Sequence, residues 1–298
     1  MEKNKILPLI GNTPLIELEG IFVKLETVNP TGSVKDRMAF YMTAKAEERG
    51  ELKPGARIIE VTSGNTGISF AMISAIKGYK FMAVMPESMS KERREMMEAF
   101  GAEVVLTPAE KDMAGAVEEY GKIVADNPGA WLPRQFENPD NIAAHKEGLG
   151  KEISKQMKGK VDALVAGVGT GGTLIGSAQY LKKDSPAMKA VAVEPEESSV
   201  LLGKNPGFHG IQGIGEGFIP KQVAENLKEI DEIVSVSTKE ACKEAKRIAR
   251  KYGLLLGVSS GANFLVAKSI KERFKFKNVV TIFPDRGERY LSQGLFDN

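Results

Sequence analysis

Lys35 stands in the stretch NPTGSVKDRMAF (29–40), where a Pro-Gly turn passes into a helical run. The positive end of a helix dipole disfavours a cation there. The same field favours the uncharged, nucleophilic form of an amine, so the position suits a lysine used for its amine. A second turn, TSGNTG (62–67), gathers Thr62, Ser63, Asn65 and Thr66 with two glycines at the end of an apolar run and the start of a helix. One cap needs one such residue. Four of them beside free helix N–H groups make a pocket for a carboxylate. A third, GVGTGGT (167–173), offers Gly169, Thr170, Gly171, Gly172 and Thr173 before another helix. Glycines let the backbone close on an anion, and the N–H groups form a nest of phosphate size. It lacks the lysine of a P-loop, and a glycine-rich turn alone is a weak dinucleotide signal. In the fourth, GVSSGA (257–262), Ser259 and Ser260 either cap a helix or face a ligand.

A phosphate nest, a carboxylate pocket and a lysine kept for its amine together suggest pyridoxal phosphate with an amino-acid substrate. A nucleotide-binding oxidoreductase would want an acidic residue about twenty positions after its glycine turn, and Glu194 superficially fits. That scheme leaves Lys35 and TSGNTG without work. A non-catalytic amino-acid sensor would be signalled by loss of the lysine, which is present.

Elements able to hold these turns are legible in the pattern. Short apolar runs at 21–26, 57–62, 80–86, 102–107, 162–167, 189–195, 232–237 and 279–284 predict strands. Helical patterns lie between many of them, several ending at glycine. Continuous apolar strands alternating with helices predict an α/β protein with parallel sheets covered on both faces. In such sheets ligands sit beyond the carboxyl ends of the strands, where these turns fall. The glycine-rich stretch 197–220 carries enough Leu, Ile and Phe to be an ordered loop.

Composition narrows the alternatives. The 298 residues suffice for two lobes, and 41 basic against 39 acidic residues offer no footing for a nucleic-acid or membrane-surface role. One cysteine, Cys242, and two separated histidines, His145 and His209, predict no disulfide and no metal site. No run approaches the roughly 20 apolar residues of a membrane span, and the first residues lack a signal-peptide pattern. The expectation is a cytoplasmic protein.

The motifs GNTPLIEL, NPTGSVKDR, TSGNTG, QFENPDN, GVGTGGT, HGIQGIG, GVSSGA and PDRGERYLS occur in one order over nearly the whole chain. In this the sequence resembles the cysteine synthase family, pyridoxal phosphate enzymes of fold type II with the tryptophan synthase β-like architecture. The length and DRGERYLS lean toward the cysteine synthase B branch. The resemblance implies two α/β lobes with mostly parallel sheets, one over 36–140 with a mobile substrate-binding part. The other covers 1–35 plus 141–298 and holds the cofactor phosphate. It implies a homodimer acting on a small amino acid. Lys35 is then the lysine that binds the cofactor and moves the α-proton. Gly169 to Thr173 cradle the phosphate, Asn65 meets the 3′ oxygen, and Ser259 faces the pyridine nitrogen. Thr62, Ser63, Asn65, Thr66 and Gln135 bind the substrate carboxylate. The implied reaction is β-replacement through an α-aminoacrylate, making cysteine from an activated serine and sulfide.

Several residues depart from the family pattern. Gly148 and Leu149 replace two threonines, and Lys151 replaces a proline. Glu216, in GIQGIGEGFIP, replaces an alanine near the substrate. A carboxylate there can activate water or a second thiol and repels hydrosulfide. That turns the chemistry toward a cysteine lyase or lanthionine synthase releasing hydrogen sulfide; a Glu216 pointing to solvent would change nothing. Arg286 replaces a serine of the A branch, either as a salt-bridge partner of Asp285 or Glu288 or as a residue tuning the nitrogen side of the cofactor. It reads best as a marker of the branch.

Overall fold

The computed structural model describes residues 5–62, 64–294 and 296. In chain order the principal elements are β1 (Leu15–Leu18), β2 (Ile21–Leu25), α1 (Lys35–Glu48), β3 (Arg57–Val61), α2 (Asn65–Lys77), β4 (Lys80–Pro86), α3 (Lys91–Ala99), β5 (Glu103–Thr107), α4 (Asp112–Asp126) and α5 (Pro139–Ala144). A π-helical turn (His145–Gly150) leads into α6 (Lys151–Gln156). Then come β6 (Ala163–Gly167), α7 (Gly172–Asp184), β7 (Lys189–Pro195), α8 (Lys221–Ala224), β8 (Glu232–Val236), α9 (Thr238–Tyr252), α10 (Val258–Phe274) and β9 (Val279–Phe283).

Two sheets result. One runs β1-β2-β9-β6-β7-β8, the other β3-β4-β5. Every pairing is parallel except the β1–β2 hairpin. Parallel strands are buried on both faces, which is why β4, β7 and β9 read as apolar runs. Val191 and Val193 of β7 enter one apolar cluster with Phe264 and Ile270 of α10, while Ala190 and Ala192 enter another with Leu174 and Ile175 of α7. Alternate residues thus feed the two layers that sandwich the larger sheet. The smaller sheet has its own core around Ile58, Phe70, Phe81 and Trp131. No helix among the described residues is long and apolar enough to cross a membrane.

All eight predicted strands are present. The hairpin strand β1 was not predicted; it turns back through Glu19 (φ +50°) and Gly20 (φ +76°). The stretch 197–220 is ordered as expected, with Ile211 and Ile214 anchored in the core of the larger sheet. The family departures at 148–151 fall on the π turn and the start of α6. There Leu149 is fully buried, and Gly150 lies so close to α7 that a Cβ would stand 2.9 Å from the Ser177 Cα.

Candidate active site

Three consecutive side chains open α1 and leave it in three directions. Asp36 accepts from the Thr31 N–H at 2.8 Å, the Thr31 hydroxyl at 2.5 Å and the Ser69 hydroxyl of α2 at 2.6 Å. Arg37 donates to Glu26 through Nε and to Glu152 through Nη1, each at 2.6 Å. Lys24, fully buried, donates to the same Glu152 at 2.8 Å. With the two residues that follow it so held, Lys35 is presented to a cavity beyond the carboxyl ends of β6 and β9. The preceding turn is stitched to the end of β9, since Ser33 bridges Asp285 and the Val34 N–H donates to the Pro284 carbonyl at 2.8 Å. Enclosure by the cavity walls pushes the Lys35 amine below the ordinary lysine value, against the opposing charges of Glu216 and Asp285. The amine is thereby made a better nucleophile.

The glycine turn after β6 forms the floor. Gly169, Thr170, Gly171 and Thr173 line the cavity, and the first N–H groups of α7 have no carbonyl within the helix to bond. The turn admits little but glycine. A Cβ on Gly169 would stand 2.4 Å from the Gly213 carbonyl oxygen, and one on Gly172 would stand 2.1 Å from Asn141 Oδ1. Gly171 has φ +87°. His145 approaches the same turn, its Nε2 3.4 Å from the Thr173 hydroxyl. Burial, then the nearby charges of Lys35 and Arg37, push its imidazole well below the usual range and keep it neutral.

The opposite wall comes from α2 and α10. Asn65 opens α2 and donates through Nδ2 to Asp285 Oδ2 at 2.7 Å. Its Oδ1 accepts from Arg289. Ser259 lies in the first turn of α10 and lines the cavity. That helix starts at Val258, earlier than expected from the sequence, because Gly257 caps it in an extended conformation. Thr66 and Gln135 also line the cavity, joined by a 2.7 Å bond from the Thr66 hydroxyl to Gln135 Oε1. Gln135 Nε2 donates to the Val61 carbonyl at 3.1 Å.

The structure therefore gathers Lys35, Asn65, Thr66, Gln135, Gly169, Thr170, Gly171, Thr173, Glu216 and Ser259 around one space. Gly172 lies within the same floor turn. Thr62 is turned away: its hydroxyl accepts from the N–H groups of Gly64 and Gly67, at 3.0 and 3.2 Å, and braces the loop. Ser63 lies outside the described residues. Glu216 is half-buried and faces inward, its Oε1 3.5 Å from where a Cβ on Gly169 would stand. Arg286 is exposed, does not line the cavity and donates through Nε to the Thr27 carbonyl at 2.7 Å.

Two charged residues of the cavity, Arg93 and Asp285, have no site role in the sequence reading. Arg93 of α3 is buried, hydrogen-bonds the Gln212 side chain and lies 4.6 Å over the Tyr290 ring. Gly64 makes room for it: a Cβ there would stand 2.1 Å from Arg93 Cδ. Asp285 is 1% exposed and lies just past the end of β9. Two adjacent arginines in a helical pattern, and an Asp-Arg pair after a strand, give no local sign of which member faces inward.

Comparison with known proteins yields consistent matches. A family model described as pyridoxal-phosphate dependent enzyme matches residues 6–285. A cysteine synthase of Staphylococcus aureus (strain Mu50 / ATCC 700699) is 46% identical over 303 aligned positions, 98% of this chain and 97% of that protein. The crystal structure of a cysteine synthase from Entamoeba histolytica superposes with a TM-score of 0.93 at 45% identity, covering 100% of this chain and 91% of the other. A hydrogen sulfide-producing enzyme from Fusobacterium nucleatum superposes with a TM-score of 0.91 at 40% identity, covering 98% and 90%.

Proposed function

Because this chain belongs to the pyridoxal-phosphate-dependent enzyme family, we propose that its cavity carries out β-replacement on a serine- or cysteine-type amino acid, with Lys35 as the working amine. The observation that carries this reading is the meeting of a nucleophilic lysine, a glycine floor and the Ser259 hydroxyl in one cavity. The residues suit the cofactor, since a Cβ on Gly169, Gly171 or Gly172 would collide with its neighbours, while the first N–H groups of α7 have no carbonyl within the helix to bond and point to where a phosphate would sit. Gly169 to Thr173 would hold the phosphate, Asn65 the 3′ oxygen and Ser259 the ring nitrogen. Bound pyridoxal phosphate supplies an aldehyde carbon that amines add to and a ring that accepts the charge left on the substrate α-carbon.

The chain's own residues do the rest. Thr66, Asn65 and Gln135 receive the substrate carboxylate, assisted by Ser63; Thr62 serves by shaping the turn that carries Ser63, Asn65 and Thr66. Lys35 takes the α-proton, which lets the β-substituent leave, and later returns it. The lobe over 36–140, with the substrate loop, closes on the one over 1–35 plus 141–298 and excludes water. An activated serine and sulfide as substrates, a homodimer and a cytoplasmic location complete the reading.

A second reading rests on Glu216. Its side chain lines the cavity beside the glycine floor, with Oε1 3.5 Å from where a Cβ on Gly169 would stand. There it can take a proton from water or from a second thiol as either attacks the β-carbon, and it repels hydrosulfide. The enzyme would then release hydrogen sulfide from L-cysteine and form serine or lanthionine.

One experiment tests both. The cofactor-loaded enzyme is given L-cysteine alone, or O-acetylserine with sulfide, and sulfide and amino-acid products are quantified. Faster turnover in the second mixture supports synthesis. Faster sulfide release in the first, cut tenfold or more in Glu216→Gln, supports the Glu216 reading. Lys35→Ala is expected to lose the cofactor's lysine-dependent visible absorbance and all turnover; an active Lys35→Ala overturns both.

A further inference from the structure

Asp285 is a buried carboxylate with one oxygen satisfied twice and the other, among the described residues, not at all. Oδ2 accepts from Asn65 Nδ2 at 2.7 Å and from the Tyr290 hydroxyl at 2.5 Å. Oδ1 is buried and has no hydrogen-bond partner among the described residues. A buried carboxylate oxygen left unpaired is costly and calls for a physical reason. The fold makes deliberate room for it: a Cβ on Gly257 would stand 2.0 Å from Oδ1. Asp285 lines the cavity that Lys35 enters, and the backbone bridge between Ser33 and Asp285 sets the two side chains on adjoining strands of chain.

Resting on the reading of Lys35 as the working amine, we propose that Asp285 is a positioning residue that holds Lys35 in its protonated form between taking the substrate α-proton and returning it. When the α-C–H bond breaks, its electron pair stays with the substrate carbon and the proton moves to Lys35 Nζ. The ammonium so formed needs a fixed counter-charge in a cavity that otherwise disfavours it. Asp285 supplies one without a competing proton donor on Oδ1. It is held in place from both lobes: Asn65 comes from the start of α2 and Tyr290 from the segment after β9. The other charged and titratable groups around the pair are Glu216 on the glycine-rich loop, His145 on the π turn, Arg93 on α3 and Arg289 beyond β9. Of these only Glu216 is also a carboxylate acting on Lys35, so removal of either one leaves a partial effect.

The test follows the visible absorbance of the bound cofactor in the holoenzyme from pH 6 to 10, with kcat and KM measured over the same range. In Asp285→Asn the absorbance midpoint and the basic limb of kcat should both move down by about one pH unit. Asp285→Glu should restore both, and KM should change less than kcat. A midpoint unmoved in Asp285→Asn, or moved upward, overturns the proposal. Asp285→Ser takes up less space and serves in place of Asp285→Asn should that variant not retain cofactor. Loss of cofactor from both variants would make Asp285 a structural residue and equally overturn it. Lys35→Ala separates the two levels: absorbance that survives there refutes the role of Lys35 itself, whatever Asp285 does.

Discussion

Glu60 carries a pH dependence that can be worked through from the structure. It lies in β3, 1% exposed, under the loop that bears Gln135. Its Oε1 accepts from the Val61 N–H at 3.1 Å and its Oε2 from the Gln135 N–H at 3.3 Å. Burial outweighs these bonds and pushes the carboxyl from 4.5 up to about 8. Below pH 4.5 the group is protonated in folded and unfolded chains alike and contributes no difference. Above that, the unfolded chain ionises freely while the folded chain resists, so the native state loses about 1.4 kcal/mol per pH unit until pH 8. By pH 7 the loss is about 3 kcal/mol, and beyond pH 8 it levels off near 5 kcal/mol. Glu60→Gln removes the titration. It also turns one acceptor into a donor that faces an N–H group, at a cost of about 1–3 kcal/mol. The two effects should cross between about pH 5 and 7. Urea denaturation of both proteins at equal cofactor saturation, at pH 5, 7 and 8.5, reads the outcome. The variant should be equal or weaker at pH 5 and more stable by about 2–4 kcal/mol at pH 8.5. A stability difference that does not vary with pH would refute the reasoning, because it would mean that Glu60 ionises in the folded chain as readily as in the unfolded one.

Glu152 should show the opposite sign. Burial alone would raise its carboxyl, but the hydrogen bonds and charge of Arg37, with Lys24, hold it down at about 2. Its stabilisation, about 3 kcal/mol, is full above pH 4.5 and fades as pH falls toward 2. Glu152→Gln should lower unfolding free energy at pH 7 by about 3–5 kcal/mol, since Arg37 and Lys24 are left buried with less counter-charge, and should flatten the acid limb of a pH–stability curve. Gly171→Ala places a Cβ 2.3 Å from Val223 Cγ2 at a φ of +87°. A left-handed residue of this kind costs about 1–2 kcal/mol before any clash. Cofactor titration followed by absorbance should show at least a tenfold loss of affinity, and unchanged affinity would mean that the floor of the cavity is not built from this turn.

The fold and site were legible in the sequence to the extent that their physics is local. The predicted strands are buried on both faces, so their signal is a continuous apolar run that needs no partner to be recognised. Strand β1 is only four residues, half-exposed, and exists because it pairs with β2 across Glu19-Gly20, a weaker hairpin signal than Asn-Gly. Glycines of the phosphate-sized turn announce themselves because any side chain there would collide, and Lys35 because it opposes the helix field in which it stands. Direction around a chain is another matter. Thr62 and Thr66 sit four residues apart in one motif, yet Thr62 braces the loop while Thr66 faces the cavity. Asp285 and Arg286 diverge in the same way: the aspartate turns inward to Asn65 and Tyr290, the arginine outward to Thr27. Charge pairing is the least legible of all. Arg37 meets Glu152 across 115 positions of sequence and Lys24 meets it across 128. Nothing local marks those three residues as partners, although they fix the helix that presents Lys35. The chemistry of the amine is written in its neighbours along the chain, whereas the rigidity that makes the chemistry usable comes from residues more than a hundred positions away.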